Sequence, residues 1–342
     1  MRQSFLWTAL PTALQPAIKN AENGVVSLYS YATILRMLAL DNPAFMETLE
    51  REGVALEEPL THDQLLSVNS CWLQRGEVTP TPATLAGLQA LGVTPTEVDF
   101  HTGTDAARTI NAATAEGTQG QILELLPEHE LADKLRHAIA LYLNTLLYMG
   151  KWGTAFDPLN TYAGSFAAPQ GPVTTNFMVA TELFDVVAGY DDLCVATVGN
   201  CMQDGQTLFC ALMPRADVPM AQLLERLSRQ GIPGWQKGHF ELHLPKFALA
   251  EETDLSALFP ALVPAAMPGL GWARTPVDIL QKASLRIDEK GVEAAAATAA
   301  VVSRGVTQQV VFNRPFLVLI LNAQDQPIFA AVVNDPTPEG PL

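Results

Sequence analysis

Residues 287–298 read IDEKGVEAAAAT, and residues 310–320 read VVFNRPFLVLI. Between them runs AAVVSRGVTQQ, 299–309. An acidic, glycine-marked entry leads into a run of very small side chains, then a short polar stretch, then a strongly apolar strand. From Val292 the alternate residues are Val292, Ala294, Ala296, Thr298, Ala300 and Val302. A period of two places them on one face of any strand the segment forms. All are small or β-branched, so none would clash or bury a charge on entering a closed sheet. The other face carries Glu293 near its start, followed by Ala295, Ala297, Ala299, Val301 and Ser303. Gly291 gives backbone freedom where such a strand would begin. Composition alone also permits an alanine-rich helix. The flanks RIDEK at 286–290 and VTQQVVF at 306–312 read as strands.

Taken with the rest of the chain, these stretches resemble the serpin family. The segment 287–298 looks like the hinge and proximal reactive loop of that family, and 310–320 like its C-terminal signature. Further matches fall in family order. NAATAEGTQGQILELL at 111–126 resembles the helix F region, and NTLLYMGKWGTAFDP at 144–158 the end of the third strand of the main sheet and the breach. FELHLPKFALAEETDLSALF at 240–259 resembles the strand pair leading into helix I, and PIFAAVVNDP at 327–336 the closing strand. The resemblance covers roughly residues 3–336. It implies an α+β protein of the inhibitory type, with about eight or nine helices on three β-sheets and an exposed reactive-centre loop near 290–306. It also implies one interwoven domain over 1–342. One departure lies between Leu40 and Leu65, where about two dozen residues replace the usual two further helices, as in a prokaryotic-like short form.

The implied mechanism is suicide inhibition. A serine protease cuts the loop, and the freed segment enters the main sheet while the protease is still esterified. Glu289, Gly291, Val292, Glu293, Ala294, Ala295, Ala296, Ala297 and Thr298 stand at the positions of the hinge and inserting loop. Val292 replaces the more usual Thr or Ser, but stays uncharged and β-branched. Counting back from FNRPF by the family distance puts the reactive bond at Arg304–Gly305. Counting forward from Glu289 lands on Gly305, so the loop is one residue shorter than common. An exposed Arg suits a trypsin-like pocket with an Asp at its base. A cut at Val302 or Ala300 by an elastase-like enzyme stays open, as does a noninhibitory carrier or chaperone role.

The resemblance also assigns supporting residues. Ser27, Ser30 and Asn144 match the polar cluster under the opening of the main sheet, where re-pairing of buried hydroxyls and an amide would let strands part. The position that often holds a His in this cluster is Gln281 here. Trp152 lies where the loop would first enter.

Composition bounds the remaining classes. A chain of 342 residues with 48% hydrophobic content can build a large core. A net charge of −16 argues against nonspecific binding to nucleic acid or an anionic membrane surface. The segment following Leu40 carries Asp41, Glu47, Glu50, Glu52, Glu57 and Glu58 against Arg51 alone, so activation by heparin-like cofactors is not expected. No run reaches the ~20 apolar residues of a membrane helix. The opening MRQSFLWTALPTALQPA is interrupted by Pro11 and reads as a first helix rather than a signal peptide. The compartment stays open between a cytoplasmic protein and one exported after losing a leader. A monomer without cofactor or metal is expected, with a trypsin-like serine protease as covalent partner.

Cys71, Cys194, Cys201 and Cys210 are too few for a disulfide scaffold. A two-residue turn at Asp204-Gly205 pairs Cys201 with Leu208, so all four are expected as buried free thiols. HFELH at 239–243 is not the zinc pattern HExxH, and His239 and His243 are expected at the surface or on an edge strand. Helices are expected over 3–19, 30–40, 81–91, 104–115 and 217–230, and strands over 65–74, 277–289 and 307–333. The apolar run HAIALYLNTLLYM at 137–149 could be a helix by hydropathy. The resemblance makes it a central strand, which fits its uninterrupted hydrophobicity.

Overall fold

A computed structural model of the protein describes residues 4–54, 65–120, 122–148, 150–153, 155–187, 192–232, 235–271, 279–289 and 308–337. The helical pieces are α1 (Phe5–Thr8), α2 (Leu10–Ala13), α3 (Gln15–Asn20), α4 (Leu28–Leu38), α5 (Pro43–Arg51), α6 (Pro82–Ala90), α7 (Thr104–Gly117), α8 (Glu128–Leu135), α9 (Met220–Gln230) and α10 (Leu255–Leu258). The strands are β1 (Gly24–Val26), β2 (Leu65–Gln74), β3 (Thr96–Val98), β4 (Ala140–Tyr148), β5 (Tyr162–Ala168), β6 (Gly171–Val187) and β7 (Cys194–Cys201). They continue with β8 (Leu208–Pro214), β9 (Trp235–Pro245), β10 (Phe247–Asp254), β11 (Leu280–Ile287), β12 (Gln308–Val311), β13 (Phe316–Leu321) and β14 (Pro327–Val333).

The expected first helix is present as α1, α2 and α3 in immediate succession. The second and third each restart with a proline in their first turn, Pro11 and Pro16, where a missing N–H costs nothing. Counted as one helix, these three bring the ten pieces down to eight among the described residues. The helix α8 was not legible from its charged sequence EHELADKL, yet it buries Leu131, Ala132 and Leu135.

The chain divides into two compact units, each assembled from separated stretches. The first comprises Met1–Leu28, Tyr148–Ala250 and Ser284–Pro341. Its strands form one hydrogen-bonded network in the order β1-β14-β13-β8-β7-β6-β9-β12, with β5 on β6. β6 is the junction. Its start pairs with β5, it pairs with β9 from Phe177 to Val187, and it meets β7 at Asp185 and Val186. Two sections therefore share one 17-residue strand: β5-β6-β9-β12 on one side and β6-β7-β8-β13-β14-β1 on the other. With the separate sheet of the second unit this makes the three expected sheets. The strands FLVLIL and PIFAAVV are buried at every position, which accounts for their unbroken apolar sequence. Phe316 anchors this unit's core, with ring contacts to Phe166, Phe247 and Phe312.

The second unit comprises Tyr29–Leu147 and Glu251–Ala283. Its five-stranded sheet runs β10-β11-β4-β2-β3. The ambiguous run at 137–149 is the strand β4, buried at every residue after Ala140. It is flanked by β11 and β2, and α7 and α8 close one face over it. Phe100, Ile110, Leu125, Leu126, Leu131 and Leu143 share that core. The stretch after α7 is fastened by Asn111, whose Nδ2–H donates to the Leu126 carbonyl (2.9 Å) and whose Oδ1 accepts from the Leu125 N–H (2.9 Å). β11 and β4 are direct neighbours in this sheet. No helix among the described residues is long and apolar enough to cross a membrane.

Candidate functional site

The last described residues before the alanine-rich run, Asp288 and Glu289, are held at three points. Trp152 is 4% exposed, and its indole Nε1–H donates to the Asp288 carbonyl at 2.7 Å. The N–H of Phe156 donates to the Glu289 carbonyl at 3.1 Å. The Glu289 carboxylate, in a residue only 8% exposed, accepts from Thr161 Oγ1 (2.8 Å) and pairs with Lys246 Nζ (2.8 Å). Burial alone would push this carboxyl up. Hydrogen bonds from Lys246, its own backbone N–H and Thr161, with the ammonium charge beside it, outweigh that penalty and hold its pKa below the ordinary glutamate value.

Trp152 is itself locked by edge-on contacts with Phe156 (5.3 Å between centroids) and Phe209 (5.0 Å). Its main chain bridges to Met202. Gly153 must be glycine here. Its N–H bonds the Cys201 carbonyl at 3.0 Å, and a Cβ would stand 2.6 Å from that same oxygen.

The residues assigned to a polar cluster are hydrogen-bonded or buried as follows. Ser30 Oγ–H donates to Asn144 Oδ1, and Asn144 Nδ2–H donates to Asn69 Oδ1 at 2.5 Å. Asn144 is wholly buried on β4. Ser27 donates to the Ile328 carbonyl of β14 at 2.7 Å. Gln281 is wholly buried on β11. Asn69 escaped the sequence reading, although an amide inside the apolar run LLSVNSCWLQ is a visible signal. Lys246 and Thr161 gave no such signal, because their partner is remote in the chain.

Beyond the run, β12 pairs in parallel with β9, with Gln309 opposite Glu241 and Val311 opposite His243. His243 is corrected by this arrangement. It is 9% exposed and β9 lies between β6 and β12, so it is neither a surface nor an edge residue. Its Nδ1 meets Tyr162 OH at 2.9 Å and its Nε2 meets Glu241 Oε1 at 2.8 Å. His239 is exposed as expected.

The cysteines also need one correction. All four are free, and Cys201 faces Leu208 across the hairpin as expected, but Cys201 is exposed. It ends β7 at the turn, where the strand leaves the core. Cys71 is buried, and desolvation pushes its thiol up to about 12, which leaves it unreactive. Among the described residues no group of His, Cys, Asp or Glu is arranged to hold a metal ion. Gly291, Val292, Glu293, Ala294, Ala295, Ala296, Ala297, Thr298, Arg304 and Gly305 lie outside the described residues.

Comparison with known proteins adds three findings. The family model described as "Serpin (serine protease inhibitor)" matches residues 28–336. Plasma serine protease inhibitor of Bos taurus is 27% identical over 256 residues, covering 70% of this chain. The match spans 61% of that protein's own length. Two solved structures share the fold over nearly all of both chains. Serpin48 of the insect Tenebrio molitor, described as a highly specific serpin, has a TM-score of 0.80 at 21% identity, covering 96% of each chain. A complex of thyroxine-binding globulin with thyroxine has a TM-score of 0.77 at 19% identity, covering 97% of this chain and 98% of that one.

Proposed function

The chain belongs to the serpin family, and on that premise we propose that it inhibits a trypsin-like serine protease as a suicide substrate. The observation that carries the reading is the adjacency of β4 and β11 in the five-stranded sheet. β11 leads directly into the small-residue run, and the run has the side chains to become a strand between these two. Asn144, on β4, is paired through hydroxyl and amide side chains that can exchange partners as strands part.

The reaction belongs to the protease. Its serine attacks the Arg304 carbonyl, the Arg304–Gly305 peptide bond breaks, and the amine of Gly305 leaves. Arg304 is then an ester on the enzyme. The chain from Gly291 onward enters between β4 and β11, gaining main-chain hydrogen bonds and apolar burial. This carries the tethered protease away from its docking position and distorts its catalytic site. Deacylation stalls. No catalytic group of this chain takes part, and the intact fold is a kinetic trap rather than the lowest state. Cleavage beside Val302 by an elastase-like enzyme would use the same machinery with a different pocket.

A second reading is a noninhibitory carrier, favoured by the likeness to the thyroxine complex of thyroxine-binding globulin. Incubation with trypsin separates the two. The inhibitor yields a protein–protease adduct that survives boiling in detergent, with a released peptide whose first residue is Gly305. Loop cleavage without any adduct would overturn the inhibitor reading in favour of the carrier. A peptide beginning at residue 303 would move the reactive bond to Val302.

A further inference from the structure

The groups that hold Glu289 form one closed ring, and a branch of that ring reaches β12. Glu289 accepts from Thr161 (2.8 Å) and pairs with Lys246 (2.8 Å). Thr161 is followed by Tyr162, whose hydroxyl meets His243 Nδ1 at 2.9 Å. His243 stands three residues before Lys246 on the same stretch, which returns to Glu289. A branch leaves the ring toward the far end of the 290–307 segment. His243 Nε2 meets Glu241 Oε1 (2.8 Å), and the same oxygen accepts from Gln309 Nε2 of β12 (2.6 Å). The Phe312 N–H also donates to the His243 carbonyl at 3.0 Å. A neutral ring satisfies every partner when Nε2–H donates to Glu241 and Nδ1 accepts from Tyr162. Tyr162 is fixed for this by stacking on Phe177 at 5.6 Å.

β12 is four residues long and ends the strand order, with β9 as its strand neighbour among the described residues. Such a strand depends on side-chain ties more than an interior strand does. We propose that the ring couples the two ends of the 290–307 segment, so that withdrawal of Glu289 from Thr161 and Lys246 loosens β12 on β9. Tyr162 and His243 are positioning residues in this scheme. When Glu289 leaves, Thr161 and Lys246 lose their common anchor. The Tyr162–His243 contact then loses its fixed spacing, and with it the orientation of Glu241 toward Gln309. The coupling belongs to the folded chain and holds whether or not a protease is trapped.

Hydrogen exchange of the intact protein, without protease, tests it. The readout is the peptide carrying residues 308–315, with peptides from β8 and β13 as internal controls. Tyr162→Phe keeps the ring stack and removes only the hydroxyl. Glu289→Gln removes the charge at the other side of the ring. Each change is expected to speed exchange at 309–312 about fivefold, the size of one net hydrogen bond, with the controls unmoved. The double variant is expected to exchange no faster than the faster single one, since a ring already open is not opened twice. Unchanged β12 exchange in Glu289→Gln, or effects that multiply in the double variant, would overturn the coupling. Should Glu289→Gln not fold, Thr161→Val cuts the same arm and is read in the same way.

Discussion

Glu289 shows how one side chain ties local electrostatics to the start of the small-residue run. Its pKa is depressed in the folded protein, so its contribution is complete above the ordinary glutamate range and fades as pH falls through the lowered folded value. Wild type should therefore exceed Glu289→Gln in denaturation midpoint at pH 7. The gap should be modest, about 1 kcal/mol, because Lys246 is partly solvated. It should narrow as pH falls through the ordinary glutamate range and close only below the lowered folded value. A pH-independent gap would show that the charge is not what matters. A second residue-scale test concerns Thr298, on the face expected to turn inward. Thr298→Arg would force a guanidinium into a closed sheet at a cost of several kcal/mol. The stoichiometry of inhibition should rise about tenfold or more, with cleavage retained. Full inhibition by this variant would exclude the inserting face assigned here.

At the scale of elements, β4 is the pivotal strand. Asn144 is buried there between Ser30 and Asn69, so Asn144→Ala leaves polar groups with fewer partners. Removing it should speed unfolding in urea by an amount equivalent to about 1–3 kcal/mol. An unaltered unfolding rate would mean that the cluster is not holding the sheet. The fold was largely legible because β13, β14 and the 144–158 stretch are long, distinctive and local. β4 was legible only through resemblance, since a strand buried on both faces has no period to read. α8 was missed because its charges hide a narrow apolar stripe. At the candidate site, motif position pointed to Glu289, Trp152 and Asn144, and each has a defined hydrogen-bond partner in the structure. It did not point to Lys246, Thr161 or the burial of His243. Their environment is created by strands separated widely in sequence, and side-chain type alone does not report it.

For the whole molecule, the testable property is metastability. Clean cleavage within 290–307 should raise the thermal midpoint by more than about 10 °C. The inserted strand would add several main-chain hydrogen bonds of about 1 kcal/mol each, and each kcal/mol moves a chain of this size by roughly 2 °C. An unchanged midpoint in the clipped protein would remove the driving force from the mechanism. The architecture carries a further consequence through β6. Because a single strand serves both walls of the first unit, the outer wall is not an interchangeable cassette. Grafting β5, β9 and β12 from another relative would bring a foreign twist into the β7–β8 side through the shared beam. Chimeras of this protein should therefore be cut outside β6 and carry it whole.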